Sequence, residues 1–404
     1  MRFDGIWGLG YEEVSAATSA KELLRHGYEW EYRHTAQKLE KLCTARKTKQ
    51  DLPEAIQNIS DTNALFCYYY ASGRTIDTEE AVLVTSRSDR YYVSAAFWDR
   101  DALLWAFPCI LEMDQVYARE LLLYVFGRQR RNFGMHSRYI DGTLLEPGFE
   151  LDELAAPIYA LTEYCLSTKD TGILAHTFVE EGIRLVLERL ETYKHPHTDL
   201  YETFLLPSDD EAEYFYVTYD NALLSISLER LGRVLQNEGQ TKRAGEILDK
   251  ADRIKKAVWE HCVTEKDEKR IFAWAVDLNG NAQIYDEPPG SLQLLAYYGF
   301  VGGEDEVYRN TMGLIRGDQY RYSFAGCYID EIGCAHAEHP WILSLANSLL
   351  CGDRQHALSL LTKMSMDNGI ACESVYEGDG TCATGDAFGT CAGFLAYAIN
   401  RPSL

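Results

Sequence analysis

Residues 224–258 read LSISLERLGRVLQNEGQTKRAGEILDKADRIKKAV. Leu224, Leu228, Leu231 and Leu235 recur at i, i+4, i+7 and i+11, and Ile247, Ala251, Ile254 and Val258 do the same after a polar connection. That spacing follows the 3.6-residue period, so each set lies along one face of an α-helix. Val179, Ile183, Val186 and Leu190 carry the same stripe upstream. More uniformly apolar runs near residues 100–113, 151–166, 341–351 and 388–399 predict helices of a second kind, enclosed on most sides. Polar connections that hold most of the Gly and Pro separate them, which suggests an inner and an outer layer. Strand signals are few: Ala81 to Thr85 and Arg270 to Val276 suit short hairpins, and Gly378, Gly380 and Gly385 mark a loop.

A mostly helical chain of 404 residues with helices of two kinds suits an α-solenoid or a closed α/α barrel. A solenoid requires a fixed period of roughly 34 to 47 residues, and none is found. Closure is therefore expected, because a ring buries one end of each inner helix around a central pocket and needs no repeat. With no linker composition anywhere, residues 1–404 are expected to form one domain.

Composition narrows the function. A formal net charge of −23 repels phosphate backbones and anionic lipid, so neither nucleic acid nor a membrane surface is an expected partner. The 27 Tyr and seven Trp suit either a large core or faces that stack on sugar rings. Eleven scattered cysteines form no Cys-x-x-Cys metal spacing, and several sit in apolar stretches as reduced thiols do. Met1 to Glu13 has no basic segment leading into an apolar one, and no apolar run approaches the ~18 residues of a membrane span. A cytoplasmic protein without metal or cofactor is expected.

Four motifs can carry chemistry. Phe97-Trp98-Asp99-Arg100-Asp101 precedes an apolar helix; its charges either pair with each other at a helix start or grip sugar hydroxyls. His136-Ser137-Arg138 leads towards Glu150-Leu151-Asp152-Glu153-Leu154, whose acids also suit a helix N-terminus. Leu206-Pro207-Ser208-Asp209-Asp210-Glu211 has the form of a capping box, Ser208 with Glu211, or else presents one carboxyl of an adjacent pair as a general acid. Glu373, in Ala371-Cys372-Glu373-Ser374, stands among apolar residues without a nearby Lys or Arg, as a residue holding a water would. A further cluster, His336-Ala337-Glu338-His339-Pro340-Trp341, lacks the spacing of a helical His-Glu-x-x-His zinc site.

In order, these blocks resemble those of glycoside hydrolase family 125, the metal-independent inverting exo-α-1,6-mannosidases. Trp98 to Asp101 is similar to the family's Trp-Leu-Arg-Asp, and Glu150 to Leu154 with Pro157 to its Glu-Ile-Asp-Ser-Leu followed by Pro. Pro207-Ser208-Asp209-Asp210, running on through Glu213-Tyr214 and Tyr216, resembles Pro-Ser-Asp-Asp-x-x-Glu-Tyr-x-Tyr. Cys372-Glu373-Ser374 resembles the His-Glu-Ser that carries the base. The chain departs from the pattern at Cys372, before Pro207 where an Arg is missing, and at Gly385-Asp386-Ala387-Phe388 in place of Thr-Arg-x-Trp-Phe. These changes bear on the sugar subsites.

The resemblance implies an all-α (α/α)6 barrel, a toroid with short β-hairpin insertions. It also implies an inverting exo-α-glycosidase acting on an oligosaccharide, with Asp209 or Asp210 as acid and Glu373 as base. Trp98, Arg100, Asp101, Arg138, Asp152 and Glu338 are then the expected substrate contacts. An α-mannosidase is the first reading and an α-glucosidase of the same scaffold the second. From another class, the alternatives are a sugar epimerase, which would gather His136, His336 and His339 in the pocket and leave Glu373 remote, and a non-catalytic carbohydrate-binding toroid; a plain helical scaffold would leave the acidic motifs at the surface as caps.

Overall fold

In the computed structural model, residues 5–46, 52–93 and 95–402 are described; Met1 to Asp4 of the amino-terminal stretch lie outside them. The helices are α1 (Glu13–His26), α2 (Tyr28–Ala45), α3 (Glu54–Phe66), α4 (Phe107–Met113), α5 (Gln115–Tyr124), α6 (Leu151–Thr168) and α7 (Thr177–Leu190), then α8 (Thr218–Asn237), α9 (Thr241–His261), α10 (Leu294–Tyr297), α11 (Glu306–Ile315), α12 (Ile342–Cys351), α13 (Arg354–Leu361) and α14 (Gly389–Asn400). A π-helical segment, Arg100–Ala106, runs directly into α4.

Burial sorts these helices by position in the chain. From α3 onward they alternate between an outer member apolar on one stripe and an inner member enclosed nearly all round. Outer α9 buries Ala244, Ile247, Ala251, Ile254, Ala257 and Val258 and leaves its Lys, Arg and Glu to water. Inner α12 buries every residue from Ile342 to Leu350, and inner α14 buries all of Gly389–Asn400. Following neighbours, the Arg100–Ala106 segment packs on α6, α6 on α8, α8 on α10, α10 on α12, α12 on α14, and α14 returns to Arg100–Ala106. Six inner helices therefore close a ring, with α3, α5, α7, α9, α11 and α13 outside: an (α/α)6 toroid. The stripes at 179–190 and 247–258 lie on outer helices and that at 224–235 on an inner one.

Closure needs no repeat because each inner helix meets two different neighbours. Apolar area removed from water stabilises by about 25 cal/mol per Å², so residues such as Leu228, Ile342 and Phe394, all 1% exposed or less, hold the ring together non-directionally.

Short strands insert between the helices. β1 (Ser72–Arg74) pairs antiparallel with β2 (Ala81–Leu83), and β3 (Met135–Arg138) with β4 (Leu144–Phe149). β5 (Tyr216–Val217) pairs with β8 (Ala275–Val276), and β8 with β9 (Ala282–Gln283). β6 (Val263–Lys266) pairs with β7 (Lys269–Phe272), and β10 (Ser374–Val375) with β11 (Cys382–Thr384). Arg270 to Val276 is thus not one hairpin arm: Phe272 ends one strand, and Ala275 begins another in a different sheet. Among the described residues no helix is long and apolar enough to cross a membrane.

Candidate active site

Every connection from an outer helix to the next inner one ends on the same side of the ring, and a pocket of about 160 Å³ opens there. Tyr91 and Tyr92 come from the connection before Arg100, His136 and Glu146 from β3 and β4, and Pro207 to Asp209 from the turn before α8. Pro289 precedes α10, His336 and Trp341 precede α12, and Glu373 and Phe388 precede α14. The wall is aromatic: Tyr91 stacks on Phe388 at 4.7 Å, Trp105 meets the Phe388 ring edge-on, and Trp98 stands edge-on to His136 at 5.5 Å. Asp101, Asp209 and Glu373 supply carboxyls to the same space.

Asp209 is held by a tight turn. Its N–H donates to the Leu206 carbonyl at 2.8 Å, and the Leu206 N–H donates to the Asp210 carbonyl at 2.7 Å. The turn places Asp209 at φ +73°, a left-handed conformation that costs a non-glycine residue energy and that Asp tolerates better than most. Ser208 opens no helix and makes no capping box. Its N–H and Oγ–H instead donate to the two carboxyl oxygens of buried Glu287 at 2.8 and 2.9 Å. Burial pushes the Glu287 carboxyl up to about 8, against the opposing hydrogen bonds from Ser208.

Glu373 enters from the opposite side. Its N–H is shared between the Thr384 and Gly385 carbonyls, and its own carbonyl accepts from Ile342 N–H at 3.0 Å. Gly385 has φ +63°, and a Cβ there would lie 2.5 Å from that of Glu373, so only glycine fits beside it. The carboxylate is almost enclosed; Oε1 accepts from the Tyr92 hydroxyl at 2.9 Å. His336 lies between Asp210 and Glu373, its Nδ1 3.4 Å from the former and its Nε2 3.9 Å from the latter. Asp210 therefore points to His336 and is absent from the pocket lining, whereas Asp209 is part of it.

Beneath the pocket lies a buried charge cluster. Arg100, fully enclosed, donates to Glu150 at 2.6 Å and to Asp209 at 3.1 Å, with Asp152 at 3.4 Å and Glu153 at 3.5 Å. Glu153 accepts the N–H groups of Asp99 and Arg100 at 2.7 and 3.1 Å. Arg138 pairs with Asp99 at 2.6 Å under the Phe97 ring. Carboxyls outnumber guanidiniums here, and desolvation disfavours the charged form. Burial accordingly pushes Glu150 and Glu153 well above the usual carboxylate range. Asp101 is raised to about 7, by burial first and by the Asp209 charge, with Arg100 opposing. It also accepts from Thr390 Oγ1 at 2.8 Å.

The expected substrate contacts divide on this geometry. Trp98 and Asp101 line the pocket. Arg138 and Asp152 are both completely buried and outside its lining: a guanidinium and a carboxyl that would have reached sugar hydroxyls are used up in the internal cluster. Arg100 likewise reaches the pocket only through Asp209. Glu338 is exposed, faces Arg321 at 3.5 Å and does not line the pocket. His339 turns away to Glu377 at 2.8 Å. His136 and His336 do line the pocket, but so does Glu373, which an epimerase arrangement was expected to leave remote.

Among the described residues one trio has ligand atoms close enough for a cation, His136, Glu150 and Asp209, within 4.8 Å of one another. Arg100 already hydrogen-bonds two of the three, so the site carries its own positive charge. Sequence reasoning missed Tyr92, Glu287, Trp105 and Thr390. The paired Tyr91-Tyr92 ahead of Trp98, and Asp286-Glu287 ahead of two prolines, are the signals that could have found the first two.

The sequence profile of the family described as metal-independent alpha-mannosidase (GH125) matches residues 191–399. The "Meiotically up-regulated gene 157 protein" of Schizosaccharomyces pombe is 26% identical over 267 residues, 55% of this chain and 52% of the relative. The chain thus spans about half the length of the curated relative it matches. The Streptococcus pneumoniae metal-independent alpha mannosidase, solved in a non-productive complex with alpha-1,6-mannobiose, aligns over 91% of this chain and 98% of its own, with a TM-score of 0.76 at 18% identity. A bacterial glucoamylase complexed with acarbose aligns over 97% of this chain and 62% of its own, with a TM-score of 0.67 at 14% identity. At such identities these likenesses bear on the toroid alone.

Proposed function

The chain belongs to the metal-independent alpha-mannosidase family, GH125, and from that premise we propose that it is an exo-acting α-mannosidase that releases a terminal α-linked mannose with inversion. The observation that carries this reading is that Asp209 and Glu373, far apart in sequence, face one small aromatic-walled pocket. A pocket of about 160 Å³ suits a single sugar ring, hence action at a chain end. The α-1,6-mannobiose bound by the S. pneumoniae enzyme supports an α-1,6 linkage.

Asp209 is the general acid and Glu373 the general base. Asp209 Oδ1 accepts from Arg100, which leaves Oδ2 as the oxygen that delivers a proton. As the bond from the anomeric carbon to the glycosidic oxygen breaks, that proton passes to the departing oxygen. A water attacks the opposite face of the anomeric carbon and gives its proton to Glu373. Asp101 and Trp98 contact the ring in the pocket, while Arg100, itself paired with Asp152, fixes Asp209 from below.

The test is sugar release from α-1,2-, α-1,3- and α-1,6-mannobiose and from maltose and isomaltose, with the first anomer read by NMR. Wild type should prefer α-1,6-mannobiose and yield β-mannose first. Glu373→Gln should lose about 10²- to 10⁴-fold in kcat. Retained activity in that variant sinks the assignment. Preferred release of glucose would instead favour the α-glucosidase reading that the glucoamylase likeness suggests.

A further inference from the structure

Glu373 carries the water-activating role in the reading above, and a carboxylate does that well only when one oxygen is fixed and the other faces the water. Burial and backbone fix Cα of Glu373 but leave its side-chain torsions to neighbouring groups. The groups facing it are Tyr91 and Tyr92 from the connection before Arg100, Cys334 and His336 from the connection before α12, and Cys391 from α14. Among the described residues only the Tyr92 hydroxyl lies at hydrogen-bonding distance from the carboxylate, at 2.9 Å; His336 stands at 3.9 Å.

Tyr92 is itself well placed to impose an orientation. Its connection is sewn to the segment that carries Glu373. Arg90 pairs with Asp367 at 2.8 Å and with Asp386 at 3.5 Å. Ser86 Oγ–H donates to the Ala387 carbonyl at 2.8 Å, and Tyr91 stacks on Phe388. Residues on both sides of Glu373 therefore anchor the connection from which Tyr92 reaches back to it.

We propose that Tyr92 is a positioning residue for Glu373, its hydroxyl holding Oε1 so that Oε2 takes the proton of the attacking water. The proposal rests on the assignment of Glu373 as general base. Tyr92 is 64% exposed as a whole, but desolvation at its hydroxyl and the adjacent Glu373 charge push its pKa up, so the phenol stays protonated and donates. Tyr92 thus sets the geometry of the base.

The experiment compares wild type, Tyr92→Phe, Glu373→Gln and the double variant, each with kcat and KM on α-1,6-mannobiose. Tyr92→Phe keeps the ring and removes only the hydroxyl. It should lower kcat about ten- to a hundredfold, the range for a hydrogen bond to a charged group, with KM within about twofold. In the Glu373→Gln background the same change should cost little more. A raised KM at wild-type kcat would make Tyr92 a stacking wall for the leaving sugar and overturn the proposal, as would an undiminished effect in the double variant. If Glu373→Gln itself stays active, the fault lies in the assignment of the base.

Discussion

At the level of single residues, the pocket depends on carboxyls whose surroundings set their charge. Asp101 is enclosed between Arg100 and Asp209, and burial raises it to about 7 from an ordinary value of 3.8. Between these two values the folded protein holds a proton that the unfolded chain has released, so stability from this group is full below about pH 4 and is lost as the pH rises through 7. Asp101→Asn keeps an oxygen to accept from Thr390 and cannot ionise. Its Tm should match wild type near pH 4 and exceed it at pH 8, as thermal unfolding across that range will show; a variant less stable at pH 8 would contradict the raised value. Asp286, also raised to about 7 by burial, acts in the same direction.

Among the elements, the turn at Pro207 to Asp210 is the one most dependent on a remote partner. Glu287, just ahead of α10, holds both the N–H and the hydroxyl of Ser208 and so fixes the next residue, Asp209, in its left-handed conformation. With its value raised to about 8, Glu287 is neutral at pH 7, and Gln reproduces its shape. Glu287→Gln should retain kcat within a few-fold. Glu287→Ala leaves buried donors unpaired, at a cost of about 1–3 kcal/mol, and should lower kcat more than tenfold. Steady-state kinetics with a thermal melt distinguishes the two; an impaired Gln variant would mean that Glu287 works ionised. Neither role was legible from the residue itself. The motif at Ser208 looked like a helix cap because Ser and Glu three apart have that form in any context, and only the fold revealed that no helix follows.

Across the whole molecule, six connections converge on one end of the ring, and a formal charge of −23 surrounds them. Repulsion of that size opposes compactness and is screened within about 8 Å at physiological ionic strength. Raising NaCl from 20 to 300 mM at pH 8 should therefore raise the Tm; a flat or falling response would show that local ion pairs dominate. The sequence by itself determined the layering, since a stripe at the 3.6 period or an apolar circumference dictates how much of a helix must leave water, and it determined which short polar motifs interrupt the helices. Asp209, Glu373, Trp98 and Asp101 could be singled out by the likeness of their motifs to those of the family, since acids at a helix start are by themselves ordinary. Tertiary structure alone decided which of those side chains reach the pocket. Arg138 and Asp152 stand in motifs as suggestive as that of Asp101, yet they are spent on one another's neighbours below the floor, while Tyr92 carries no motif and touches the Glu373 carboxylate. The reason is physical: periodicity records how much surface a residue must bury, whereas contact across a closed ring depends on partners hundreds of residues away that no local pattern encodes.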